Sequence, residues 1–340
     1  MGNTVRVVLL GTGGGPNWPV GAEREGIATA LVVDGKYYLI DAGEGVGPQL
    51  RKAKLGTWQH TNDGPLDALR AVFLTHLHSD HICDLSNLFS LGPFNGTHRA
   101  ELPIHLYGPG PRGVLPPLFG PGPEPEVVAP EAPTPGTVEM WNRFIQAFAT
   151  DFNDRARDNR KPTPMDVVAA HDISLPAHLT ADPNGNPHPD MDPVPVYEDD
   201  RVKVSCILVQ HAPIFPAFAF RFDTDRGSVV FSGDTGPSEN LVRLAHGVDV
   251  LVHEVISKEW VDSYLPEPRT EAQEGFYRHL LDAHTTAQQC GEIATRAEVG
   301  TLVLNHMVPS AYSSNRFAEV RRHYDGPIVI GNDLDVINVG

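Results

Sequence analysis

Residues 74–81 read LTHLHSDH. Three histidines, His76, His78 and His81, and one aspartate, Asp80, crowd the end of an apolar run, AVFLT (71–75). The run reads as a β-strand, so these side chains occupy the tight loop that follows it and can converge on one point. Imidazole nitrogen and carboxylate oxygen are the donors that a borderline dication such as zinc takes, at about 2.0–2.2 Å. A lone histidine reads as an ordinary core or surface residue; three with an aspartate at this spacing read as a metal site.

Around this stretch, short β-branched runs recur with turn residues between them, at 5–10, 27–33, 36–40, 71–75, 202–209, 217–222, 228–233, 248–254, 301–306 and 327–331. Helical patterns fall near 47–54, 84–91, 238–245, 286–297 and 315–324. Together they predict an α/β chain of two sheets packed face to face with helices outside. The middle differs: residues 103–195 hold 19 of the 31 prolines, so no interior strand or helix is expected over most of it. Within it, TVEMWNRFIQAFATDF (137–152) places Trp141, Phe144, Ile145, Phe148 and Phe152 on one helical face. That face either docks on the core or forms a cap or a dimer contact.

The formal charge of -17 and the lack of any Lys/Arg run weigh against nucleic acid as a partner, because phosphate binding draws on clustered cations. No apolar stretch is long enough to span a membrane, and the N-terminus lacks a basic region and a cleavage site. Cys83, Cys206 and Cys290 are odd in number and widely spaced, which fits a reducing, cytoplasmic compartment. GTGGGP (11–16) follows the first strand but matches neither nucleotide-binding glycine pattern; it reads as a turn that lets backbone approach the metal site. His171, His178 and His188 are irregularly spaced and read as exposed.

THLHSDH resembles the His-x-His-x-Asp-His motif of the metallo-β-lactamase superfamily, and LIDAGEG (39–45) upstream is similar to that superfamily too. His211 in QHAPIFPAFAF resembles the third ligand motif, Asp234 in SGDTG the bridging aspartate and His306 in LVLNHM the last histidine, so the resemblance runs from 5 to 340. It implies a four-layer αββα sandwich over residues 1–340, with an inserted Pro-rich cap at about 108–200. It also implies two divalent ions: zinc is expected, and manganese or iron is compatible with the same ligands. His76, His78 and His211 would hold one ion, Asp80, His81 and His306 the other, and Asp234 would bridge them. Asp80 would also orient the attacking water. VHEVIS (252–257) and HTTAQQ (284–289) are similar to motifs of the ribonuclease Z and arylsulfatase-like branch, where a glutamate orients a proton-donating histidine; here these are Glu254 and His284. His-Ala-Pro-Ile-Phe stands where glyoxalase-II-like thioesterases, many lactonases and β-lactamases tend to have His-Thr-Pro-Gly-His.

The resemblance thus implies a binuclear metal-dependent hydrolase in which a metal-bound hydroxide cleaves a carboxylic, sulfate or phosphodiester bond. A small organic molecule is the expected substrate. Phe94, Trp141, Phe144 and Phe215 are candidate pocket walls. Removal of the tRNA 3′ trailer is the alternative, opposed by three features. His211 and Asp234 are 23 positions apart, where ribonuclease Z carries a long tRNA-gripping arm; NWPVGAEREG (17–26) holds a single arginine where that family has a Pro/Lys/Arg loop; and the chain is acidic. A non-catalytic binding protein on the same scaffold is the remaining alternative, and a homodimer through the cap is left open.

Overall fold

The computed structural model describes residues 4–57, 64–120 and 122–340. Residue 121 of the expected cap and residues 1–3 of the N-terminal stretch lie outside the described residues. The strands are β1 (Val5–Gly11), β2 (Ala28–Val33), β3 (Lys36–Ile40), β4 (Leu69–Phe73), β5 (Ile104–Pro109), β6 (Val168–Ile173), β7 (Val194–Glu198), β8 (Lys203–Leu208), β9 (Phe218–Thr224), β10 (Gly227–Phe231), β11 (Val250–Ile256), β12 (Thr301–Val308), β13 (Ile328–Ile330) and β14 (Val336–Val339). They form two seven-stranded sheets, ordered β14-β1-β2-β3-β4-β5-β6 and β13-β12-β11-β10-β9-β8-β7. In each sheet a run reaching one edge is parallel, β3 to β6 in one and β10 to β13 in the other, and the remaining pairs are antiparallel.

Period-2 alternation sorts the side chains between layers. On β1, Val7 and Leu9 join the core that includes Phe218 and Phe220 of the second sheet, whereas Val8 and Leu10 join a separate cluster with Leu50 and Leu88. The latter two belong to helices Val46–Lys52 and Leu85–Ser90, which cover the outside of the first sheet. Helices Glu239–Ala245 and Ala287–Arg296 do the same for the second, contributing Leu241, Leu244 and Ile293. All ten runs read as strands form strands, with ends shifted by a residue or two. The last helical pattern is a 3-10 segment, Ser314–Arg322.

The Pro-rich middle departs from expectation. It supplies β5, which is interior, between β4 and β6, and the edge strands β6 and β7, so the span 108–200 is in part sheet rather than a separate insert. Proline placement explains this. Pro103 and Pro109 bracket β5 rather than interrupt it, β6 contains none, and Pro195 sits on an edge strand, where a missing N–H is tolerated. The helical face docks on the core: Trp141 is buried edge-on against Phe89, 5.3 Å between ring centroids. Trp141 and Phe144 therefore pack within the helix layer of the first sheet. His171 is likewise half-buried, stacked on Tyr107 and bonded to His105 at 3.0 Å, not a loose surface residue.

Phe73, at the end of β4, ties the sheets together. It is fully buried, stacks on Tyr107 at 5.6 Å and meets Phe220 and Phe222 of β9 edge-on at 5.5 and 5.2 Å. Phe73→Ala should cost about 3–5 kcal/mol in denaturant unfolding, because the rigid inter-sheet layer cannot collapse into the cavity.

Candidate metal centre

The chemistry-bearing residues gather where strands of the two sheets end. β4 runs into His76 and His78, β8 into His211 and β10 into Asp234, while Glu254 lies on β11 and His306 on β12. His76, His78 and His211 come together, with His76 Nε2 2.9 Å and His211 Nε2 3.3 Å from His78 Nδ1. Asp80, His81 and His306 form a second group, with both Nε2 atoms 3.5–3.6 Å from Asp80 Oδ2. Asp234 stands between the groups. Its Oδ1 is 3.3 Å from His81 Nε2 and from His306 Nε2, and its Oδ2 is 4.0 Å from His211 Nε2.

Outer contacts aim these rings. His81 Nδ1 is 2.8 Å from Asp41 Oδ2, and Asp41 also accepts from the Thr75 N–H and hydroxyl. His211 Nδ1 donates to the Ala283 carbonyl at 2.9 Å. Each contact consumes Nδ1 and leaves Nε2 facing the centre, the arrangement that metal-ligating histidines use. Burial pushes the His211 imidazole down to about 3, so its Nε2 lone pair is free at neutral pH. Burial works against charge on Asp234, but His306 and His81 outweigh it and hold the carboxyl well below its ordinary range.

The donor set fits two dications. His81 Nε2, His306 Nε2 and Asp234 Oδ1 are buried without a hydrogen-bond partner among the described residues, an expensive arrangement that a cation would satisfy. The glycine turn has the role expected of it. A Cβ on Gly14 would lie 2.5 Å from His306 Nδ1, and the Gly15 N–H donates to Asp80 Oδ2 at 3.1 Å. Asp41, Ala283 and Gly15 are contributors that the motif positions did not single out. LIDAGEG contains Asp41 and the GTGGGP turn contains Gly15, so only Ala283 left no trace in the motifs. Cys83 is exposed and joins neither group.

Beside the two groups, His284 Nδ1 lies 2.8 Å from Glu254 Oε1 and 4.0 Å from Asp234 Oδ2. Burial disfavours a charged ring here, yet the Glu254 carboxylate overcomes it and pushes His284 up to about 9. Glu254 is itself fixed, accepting from the Thr235 N–H at 2.8 Å. All nine sequence-predicted site residues are thus brought to one place.

With the two sheets and the histidine–aspartate centre, residues 24–272 match the model of the metallo-beta-lactamase superfamily, and the chain belongs to that superfamily. Within it, the chain is similar to proteins named ribonuclease Z. One from Mycobacterium bovis (strain BCG / Pasteur 1173P2) is 29% identical, with 98% of each chain covered. One from Mycolicibacterium gilvum (strain PYR-GCK) is 31% identical, with 98% of this chain and 96% of the relative covered. Among solved structures, the short form of human tRNase Z shares the fold at a TM-score of 0.61 and 19% identity, over 98% of this chain and 99% of that one.

Replacing Asp41 by Ala frees the His81 ring and should weaken metal binding about 10–100-fold by titration, while His78→Ala should lose bound metal on dialysis. Unchanged metal content in His78→Ala would remove that residue from the ligand set.

Proposed function

We propose that this protein is a metal-dependent phosphodiesterase that acts on the 3′ end of precursor tRNA. Two divalent ions would be held by His76, His78, His211 and Asp234 on one side and by Asp80, His81, His306 and Asp234 on the other. When bound, they supply Lewis acidity and lower the pKa of water. Zinc suits the donors, and manganese or iron would also be accepted.

The observation that carries this reading is the Glu254–His284 pair against Asp234, 2.8 Å within the pair. Glu254 holds the Nδ1 proton and leaves Nε2 to donate to a leaving oxygen. An RNA alkoxide is a poor leaving group, and a positioned acid is worth about 10²–10⁴-fold in such a step. The ribonuclease Z relatives, similar over 96–98% of their own length, support tRNA over the small ester that motif spacing and charge favoured.

A second reading, hydrolysis of a small-molecule ester, keeps support from the charge of -17 and the short His211–Asp234 connection. The two readings share the machinery and differ in what reaches it. The non-catalytic alternative is opposed by the convergence of every expected donor. None of the described helices is long and apolar enough to cross a membrane.

Metal-loaded protein should release the 3′ trailer from a precursor tRNA, and a chelator should stop it. Turnover of chromogenic aryl carboxylate, sulfate or phosphate esters with intact tRNA would assign the second reading. His284→Ala should keep its metals and lose about 10²–10⁴-fold in kcat. Glu254→Gln should shift the alkaline limb of kcat to lower pH: the carboxylate raises the His284 pKa, so removing its charge lets the ring lose its proton sooner as pH rises.

A further inference from the structure

On the Asp80 side of the centre lies a cleft of about 460 Å³ whose lining includes Trp18, Glu25, Glu44, Ser79, Asp80 and Ser310. The cleft lining thus brings together a candidate metal ligand and an aromatic ring. Trp18 is 86% exposed. A free indole is a costly thing to leave in water, yet this one is fixed: its Nε1 donates to Glu44 Oε2 at 2.7 Å. Pro16 and Pro19 flank it, and the Ala22 N–H closes a turn onto the Pro19 carbonyl at 3.1 Å, so the loop carries little freedom to lose on binding.

The cleft is acidic in composition, but its carboxylates are engaged. Glu44 accepts from Trp18, Glu25 pairs with Lys52 at 3.7 Å, and Asp80 faces His306 and the Gly15 N–H. The side chains of Asn17, Ser79 and Ser310, by contrast, make no hydrogen bond among the described residues. A rigid exposed π-face, neutral donors and acceptors, and an opening onto the centre fit a flat, uncharged, hydrogen-bonding ring. An aromatic face of this kind accepts any base, because every base has a π-face of its own.

We infer that Trp18 is a specificity-determining residue: it stacks a nucleobase adjacent to the scissile phosphate, which places that phosphate at Asp80. This inference rests on the phosphodiesterase reading and adds the substrate moiety held beside the metals. Glu44 is the positioning residue, since it sets the plane of the indole.

The test compares p-nitrophenyl esters of thymidine 3′-phosphate and thymidine 5′-phosphate with methyl p-nitrophenyl phosphate, using metal-loaded wild type, Trp18→Ala and Trp18→Phe. The wild-type preference in kcat/KM for at least one thymidine ester over the methyl ester should fall roughly tenfold in Trp18→Ala, through KM, and be largely kept in Trp18→Phe. A preference unaltered in Trp18→Ala overturns the inference. If no ester is hydrolysed, the phosphodiesterase reading is decided separately by cleavage of precursor tRNA, and tryptophan fluorescence decides the role of Trp18. Quenching by CMP in wild type that is lost in Trp18→Phe upholds the stacking site, and equal quenching in both overturns it. Displacement of CMP by tetramethylammonium at lower concentration would also overturn it, by making the cleft a cation site.

Discussion

A carboxylate buried between two groups of imidazoles is the constraint on which the rest of this structure turns. Asp234 reaches His81 and His306 with one oxygen and faces His211 with the other. An ion there is tolerable only where opposite charge or donors meet each lone pair, since burying a bare charge is prohibitive. The supporting frame follows from that demand: five strands, β4, β8, β10, β11 and β12, must deliver side chains to one place. Strands that end at adjoining sheet rims do this with short connections, because the parallel strands in each sheet deliver their C-terminal ends to one side.

Ring orientation is set from outside the centre. Asp41 and the Ala283 carbonyl each take a ring Nδ1 and thereby decide which nitrogen faces inward. The same logic links Glu254 to His284, where a carboxylate at 2.8 Å also makes the ring more basic. Charge on the Nδ1 partner sets the difference between two of these rings: a carbonyl leaves His211 neutral, whereas the Glu254 carboxylate favours a proton on His284.

Charge and homology pull in different directions on the substrate. Net charge describes the average surface, whereas a phosphodiester meets only the local field, and two bound dications would dominate that field. The acidity of the chain is therefore weaker testimony against RNA than its size suggests. The Pro-rich middle is also less of an obstacle than composition implied, since part of what looked like an insert is sheet.

The sequence alone determined the centre where ligands are local: His76, His78, Asp80 and His81 sit in one loop, and a loop fixes its own side chains close together. It also determined most strands, because period-2 burial is written residue by residue. Distant partners such as Asp234, Glu254, His284 and His306 were legible only through resemblance, for nothing in spacing alone links positions so far apart. Tertiary structure decided the rest. It showed that prolines bracket β5 instead of breaking it, that β14, with alternate residues exposed, gains its place by pairing with β1, and that Asp41 and Gly14 matter through what they touch. These depend on contacts between segments remote in the chain, which no local pattern encodes.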